Sequence, residues 1–311
     1  MKKIGYEISA AAILLFLFLC PAQALAASRR GLHLWFDTLL PTLLPFMIFS
    51  NILIRADLVR PLVSVLSPVF HGLLRLSPGG TYALLMGFLC GCPMGAKTLA
   101  DLRSRGQIAL EEAQYLLGFC NNISPSFVMN FLVMEQLKAP ELLVPSLIII
   151  YGSPLLYGIL TNPSYRRTCR EQLSSDAVLC SLSSAPKEPL CFGMVDSCIL
   201  DGVTTIVKLG CYVMLFAILA GIIQTLPLPV QGKALLTAFS EITNGIPAII
   251  EGFSFPSRFL FLMVMVSCGG LSALAQTDSA AKNAHLSIGK YVRSKLITSL
   301  IALLLALCFL S

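Results

Sequence analysis

Apolar stretches closed by short polar segments recur along most of the chain, at residues 34–54, 81–97, 116–134, 142–160, 203–225, 259–276 and 291–310. Each approaches the roughly 20 residues that an α-helix needs to cross hydrocarbon. Two weaker stretches, 58–76 and 234–250, contain Pro61, Pro68 and Pro247 and read as short spans, re-entrant hairpins or interfacial helices. Lys2 and Lys3 precede the apolar residues 8–20, and Ala24-Leu25-Ala26 offers the small-residue pattern that ends a signal peptide. Because the apolar character continues to Ala27, about 20 residues in all, an uncleaved first span is favoured. The pattern predicts an all-α polytopic membrane protein of about eight transmembrane helices plus two half or re-entrant elements.

Composition supports that reading. The 311 residues are 56% hydrophobic and only 12% charged, and the mean hydropathy is +0.81. A water-facing shell would need about twice that charged fraction, so lipid must serve as much of the solvent. The net charge of +6 comes from 22 basic against 16 acidic side chains scattered between apolar runs. No concentrated basic tract exists, which argues against nucleic acid. Arg103 and Arg105 in the loop 99–112, and Arg166, Arg167, Arg170 and Lys187 in the polar segment 162–196, favour a cytoplasmic position for both. That segment divides the chain into an N-terminal span (1–30), a first half (31–161), the linker itself and a second half (197–311). The halves share a faint repeat, Pro45-Phe46-Met47-Ile48-Phe49 over Tyr212-Val213-Met214-Leu215-Phe216, and Cys90-Gly91 over Cys268-Gly269.

The chemistry sits where helices should break. Gly87, Gly91, Pro93 and Gly95 interrupt an apolar span just before Lys97. Proline removes a helical donor and glycine permits sharp turns, and the freed backbone groups are tolerated at membrane depth only inside protein or along a polar cavity. Discontinuous helices of this kind grip solutes in many transporters, although glycines can equally serve close packing. Asn121, Asn122, Ser124 and Pro125 make a second break, whose amides either hydrogen-bond a solute or cap the half-helix that follows. In the second half, Gly269, Gly270, Ser272 and Gln276 form a third break, and Glu241 with Asn244 lies in the weak stretch before it. Glu241 is either a functional acid at depth or an interfacial residue. Lys97 is either the cation for a solute or an anchor reaching the interface.

Several classes lose their support. No H-E-x-x-H occurs, no serine–histidine constellation stands out, and His33, His71 and His285 show no ligand spacing, so no enzyme, metal or cofactor is expected. Cys90 and Cys92 form C-x-C without a second pair, and most of the eleven cysteines lie in apolar runs. No phosphate-binding loop is present in register.

At these same positions the sequence resembles the nucleoside-recognition, or Gate-domain, membrane proteins, in their sporulation integral membrane branch. The resemblance is carried by residues 41–53, by 87–101 with its G-x-P-x-G-A-K core, by 106–112 leading into Leu116-Leu117-Gly118-Phe119-Cys120-Asn121-Asn122, by 241–245, and by Gly269-Gly270-Leu271-Ser272 with Gln276. It implies two Gate-like repeats with broken helices, in residues 31–161 and 197–311. It further implies transport of a small anionic solute, dipicolinic acid, across the membrane surrounding the forespore. Partners implied are that solute, membrane lipid, and a homo-oligomer or other sporulation membrane proteins. Cys92 departs from the family pattern. A nucleoside-type solute and a non-transporting scaffold for the spore envelope are the competing readings.

Overall fold

Proline and glycine cut the apolar stretches into half-helices, and the computed structural model shows where each cut falls. It describes residues 14–56, 60–172 and 191–311. The start of the first predicted span and the centre of the 162–196 linker lie outside the described residues. All regular elements described are helical.

Helix α1 (Pro21–His33) begins with proline in its first turn, where no N–H is needed, and runs through a π-helical turn at Leu34–Leu39 into α2 (Leu40–Arg55). The first two predicted spans are therefore one bent helical run, and Ala24-Leu25-Ala26 lies within it. Then come α3 (Arg60–Leu74), α4 (Pro78–Cys90), α5 (Met94–Ser104), α6 (Leu110–Cys120), the π-helical α7 (Phe127–Leu137) and α8 (Leu143–Gln172). The second half holds α9 (Phe192–Thr225), α10 (Val230–Ser240), α11 (Ile242–Gly252), α12 (Ser257–Cys268), α13 (Gly270–Ala281) and α14 (Ile288–Leu310).

Long apolar helices account for part of the expected eight spans. Four are long and apolar enough to cross a membrane, at Pro140–Tyr165, Phe192–Thr225, Ser257–Ala281 and Ile288–Leu310, among the described residues. Two bent pairs, Pro21–Leu39 with Leu43–Phe49 at 54° and Val63–Leu74 with Pro78–Cys90 at 100°, bring the number to six if each is one span. Periodicity alone could not separate a continuous span from two half-helices at an angle. Similarly, α8 runs on to Gln172, past the predicted start of the linker, because Asn162 is buried there and donates to Leu74 O at 2.7 Å and Tyr115 Oη at 3.2 Å.

The element order repeats. A broken pair (α4, α5), a second broken pair (α6, α7) and a long helix (α8) are followed after α9 by α10 with α11, α12 with α13, and α14. In that order Gly91 lies in a first break and Gly269 in a second, so the sequence match of Cys90-Gly91 with Cys268-Gly269 pairs different positions. The first break of the later half is at Glu241, and Gly95 and Gly245 each follow their break by the same four residues.

Small residues bring the helices together, as expected where lipid removes the hydrophobic drive between them. Gly31 lies against Ala217 and Met214, and Gly210 against the Trp35 ring, so α1 packs along α9. Trp35 Nε1 then donates to Ile206 O at 2.8 Å. The outer surface has reversed polarity. On α14, Leu296, Leu300 and Leu304 are more than half exposed, whereas Ser294, Lys295, Thr298 and Ser299 are buried. A helix with leucines outward and polar groups inward faces lipid, not water.

Crossing points leave no room for side chains. A methyl group on Gly87 would sit 2.1 Å from Cys120 O, and one on Gly245 2.1 Å from Ala238 Cα, whereas one on Gly72 meets nothing within 4 Å. Gly87→Ala and Gly245→Ala should each lower the melting temperature of the detergent-purified protein, at a cost of about 1–3 kcal/mol. Gly72→Ala should leave it unchanged or raise it, by up to ~1 kcal/mol of helix propensity. Equal behaviour of the three variants would show that the crossings are not tight.

Candidate functional site

Breaking a helix exposes the first N–H groups of the segment that follows, and four such starts meet at one place. A cavity of about 90 Å³ is lined by Cys90, Cys92 and Pro93 before α5, by Ser124, Ser126 and Phe127 at α7, by Glu241, Ile242 and Thr243 at α11, and by Gly269, Ser272, Ala273 and Gln276 at α13. Leu43 and Met47 of α2 and Thr205 and Leu209 of α9 complete the wall. Each helix start carries roughly half a positive charge from its aligned peptide dipoles. Four starts in one cavity make it a place where negative charge is stabilised.

The starts differ in how they are satisfied. Glu241 serves α11: one carboxylate oxygen accepts from Thr243 N at 2.8 Å, the other from Asn244 N at 2.7 Å and Asn244 Nδ2 at 2.8 Å. Its charge is thereby spent largely on its own helix. At α7, Ser124 Oγ accepts from Phe127 N at 3.3 Å, so the serine and not the asparagines caps this half-helix. In α5, Ala96 N donates to Asn121 Oδ1 at 3.3 Å. No side chain caps α13.

Backbone crossing holds the breaks in place. Cys92 N donates to Asn122 O at 2.5 Å, and Gly91, at φ 78°, lies directly against the Ser124 backbone. Gly95 packs on Asn121 Cα. In the second half Gly270, at φ 72°, lies against the carbonyls of Phe239 and Ala238. Positive φ at these closely approached positions requires glycine.

The halves are joined by a buried polar seam beside the cavity. Asn121 Nδ2 donates to Thr277 Oγ1 at 2.8 Å and lies 3.1 Å from Tyr291 Oη. Asn122 Nδ2 donates to Phe119 O at 2.6 Å, and its Oδ1 accepts from Lys295 Nζ at 2.9 Å. Cys92 Sγ, on the cavity wall, is 3.8 Å from Thr277 Oγ1.

Of the residues singled out in the sequence, Pro93, Ser124, Glu241, Gly269, Ser272 and Gln276 line the cavity. Gly91, Gly95 and Gly270 shape the crossings behind it. Asn121 and Asn122 are buried in the seam, and Asn244 braces Glu241 while donating to Val213 O at 3.3 Å. Glu241 is only 3% exposed and is enclosed by protein. Lys97 does not reach the cavity. Ala96, Leu99 and Ala100 form the buried face of α5, and Lys97 projects from the opposite, exposed face.

Sequence reading passed over Lys295, Tyr291, Thr277 and Thr205. For Lys295 the signal was present: a lysine inside the apolar stretch 291–310 is an ionisable group at membrane depth, and Tyr291, Thr298 and Ser299 mark its face as interior.

Membrane-length helices with apolar outer and polar inner faces define this chain as a multi-pass integral membrane protein. It is 27% identical, over 313 aligned residues, to the sporulation integral membrane protein YlbJ of Bacillus subtilis (strain 168), covering 91% of this chain and 76% of that relative. No family model matches the sequence, and no solved structure matches it.

The seam makes a quantitative expectation. Asn121→Ala and Thr277→Val each leave a buried partner unsatisfied, so each should destabilise by about 1–3 kcal/mol. In the double variant the losses should fall short of additive by about 0.5–3 kcal/mol, measured by unfolding in detergent. Strict additivity would mean that the two side chains do not interact.

Proposed function

We propose that this protein carries a small anionic solute across the membrane through the cavity where the broken helices converge. The observation that carries the reading is the meeting of four half-helix starts on one cavity, which gathers their positive ends around a space large enough for a bound group. The similarity to a sporulation integral membrane protein supports a role in spore formation, and in this reading the transport occurs at the membrane surrounding the forespore. The resemblance of the Gly87–Lys97 and Cys120–Asn122 regions to Gate-domain proteins favours dipicolinic acid, a rigid pyridine dicarboxylate, as the solute. In this reading the ring is bound in the cavity of about 90 Å³. The protein acts without a cofactor and performs no covalent chemistry in this reading, and the segments 99–112 and 162–196 face the cytoplasm.

One observation favours a second reading. Glu241 and Gln276 line the cavity and no basic side chain does, which suits a neutral, nucleoside-type solute held by hydrogen bonds. Purified protein in liposomes separates the alternatives. Protein-dependent flux of pyridine-2,6-dicarboxylate is expected, with little flux of a nucleoside. Ser272→Leu, which fills the cavity from α13, should lower that flux ten-fold or more while the protein still inserts. Nucleoside flux alone would favour the second reading, and absence of any flux would leave a membrane scaffold for the spore envelope.

A further inference from the structure

Lys295 lies seven residues inside α14, roughly 10 Å along the helix axis from its start, and is only 5% exposed. An ammonium at that depth is costly unless an anion or several acceptors compensate it. Its three donors have one hydrogen-bond acceptor assigned, Asn122 Oδ1, with the Tyr291 ring centroid 5.6 Å away. Among the described residues it forms no ion pair with an acid. Cys92 is itself part of the cavity wall, and its N–H holds the carbonyl of Asn122. The lysine thus holds the side chain of Asn122, whose carbonyl accepts from Cys92 of the cavity wall.

We infer that Lys295 is the fixed cation for the second negative charge of a dicarboxylate solute, engaged when that solute displaces the Asn122 carboxamide from it. This rests on the anionic-solute reading above and adds the charge selectivity of the same site. Helix starts supply partial charges adequate for one carboxylate, and Lys295 supplies the full charge that distinguishes two from one. The wide, flat ligand bridges the α13 start and the lysine, and the amide of Asn122 is the neutral stand-in that keeps the ammonium hydrogen-bonded while the site is empty.

The test compares pyridine-2,6-dicarboxylate with pyridine-2-carboxylate, which differ by one charge, for binding to the purified full-length protein. Wild type should prefer the dicarboxylate by about 10- to 100-fold, the range of one charge-assisted contact. Lys295→Met should bind the two alike, and Lys295→Arg should keep part of the preference. A folded Lys295→Met that keeps the full preference overturns the inference while leaving the anion reading intact. Wild type that binds both acids equally does the same. Wild type that binds neither removes both. Should the methionine variant not fold, alkylation of Cys92 in wild type by iodoacetamide, followed by peptide mass spectrometry, decides. Protection at about ten-fold lower concentration by the dicarboxylate supports the assignment, and equal protection by the two acids overturns it.

Discussion

A helix that stops inside hydrocarbon must find partners for backbone groups that water would otherwise satisfy, and the architecture follows from that demand. In the first half the solution is to cross two breaks, so that Cys92 N donates to Asn122 O and Ala96 N to the Asn121 side chain. In the second half the N-terminal donors of α11 are taken by Glu241, while Gly270 lets α13 start against the carbonyls ending α10. Such crossings need the closest backbone approach, which explains glycine at 87, 91, 95, 245 and 270. Packing and site geometry are therefore one feature: the glycines that admit the crossing also bring the helix starts to the cavity.

Around this centre apolar side chains fill the interior and also cover the outer surface. Phe127, Phe131, Ile246, Phe259 and Met263 form an apolar cluster beside the cavity, and the leucines of α14 face outward. Polar atoms concentrate between the two halves, at Asn121, Asn122, Thr277, Tyr291 and Lys295. Side-chain hydrogen bonds between halves are individually modest and can be exchanged one at a time. Such a seam can be exchanged bond by bond, whereas interlocked apolar packing cannot.

Much was legible in the residues alone. Apolar length and low charge determine a helical membrane protein, because hydrocarbon tolerates no other solution for runs of this length. Gly91-Cys92-Pro93, Asn121-Asn122 and Gly269-Gly270 determine where helices stop, because glycine and proline act through their own backbone. Glu241 was visible as an acid within an apolar stretch. These are local properties, and sequence carries them directly.

Direction and partnership were decided only by the tertiary structure. Whether a break turns a span by 100° or leaves it nearly straight depends on what packs across it, so the count of spans could not be read from hydropathy. Lys97 and Lys295 both end or interrupt apolar runs, yet α5 turns one outward and α14 turns the other inward, since helical phase relative to distant neighbours sets which face is buried. Cys90-Gly91 and Cys268-Gly269 look alike in sequence and occupy different places in the repeated element order. The chain itself determines its solvent and its breaks; contacts between residues distant in the sequence decide which breaks meet and which charge lies behind them.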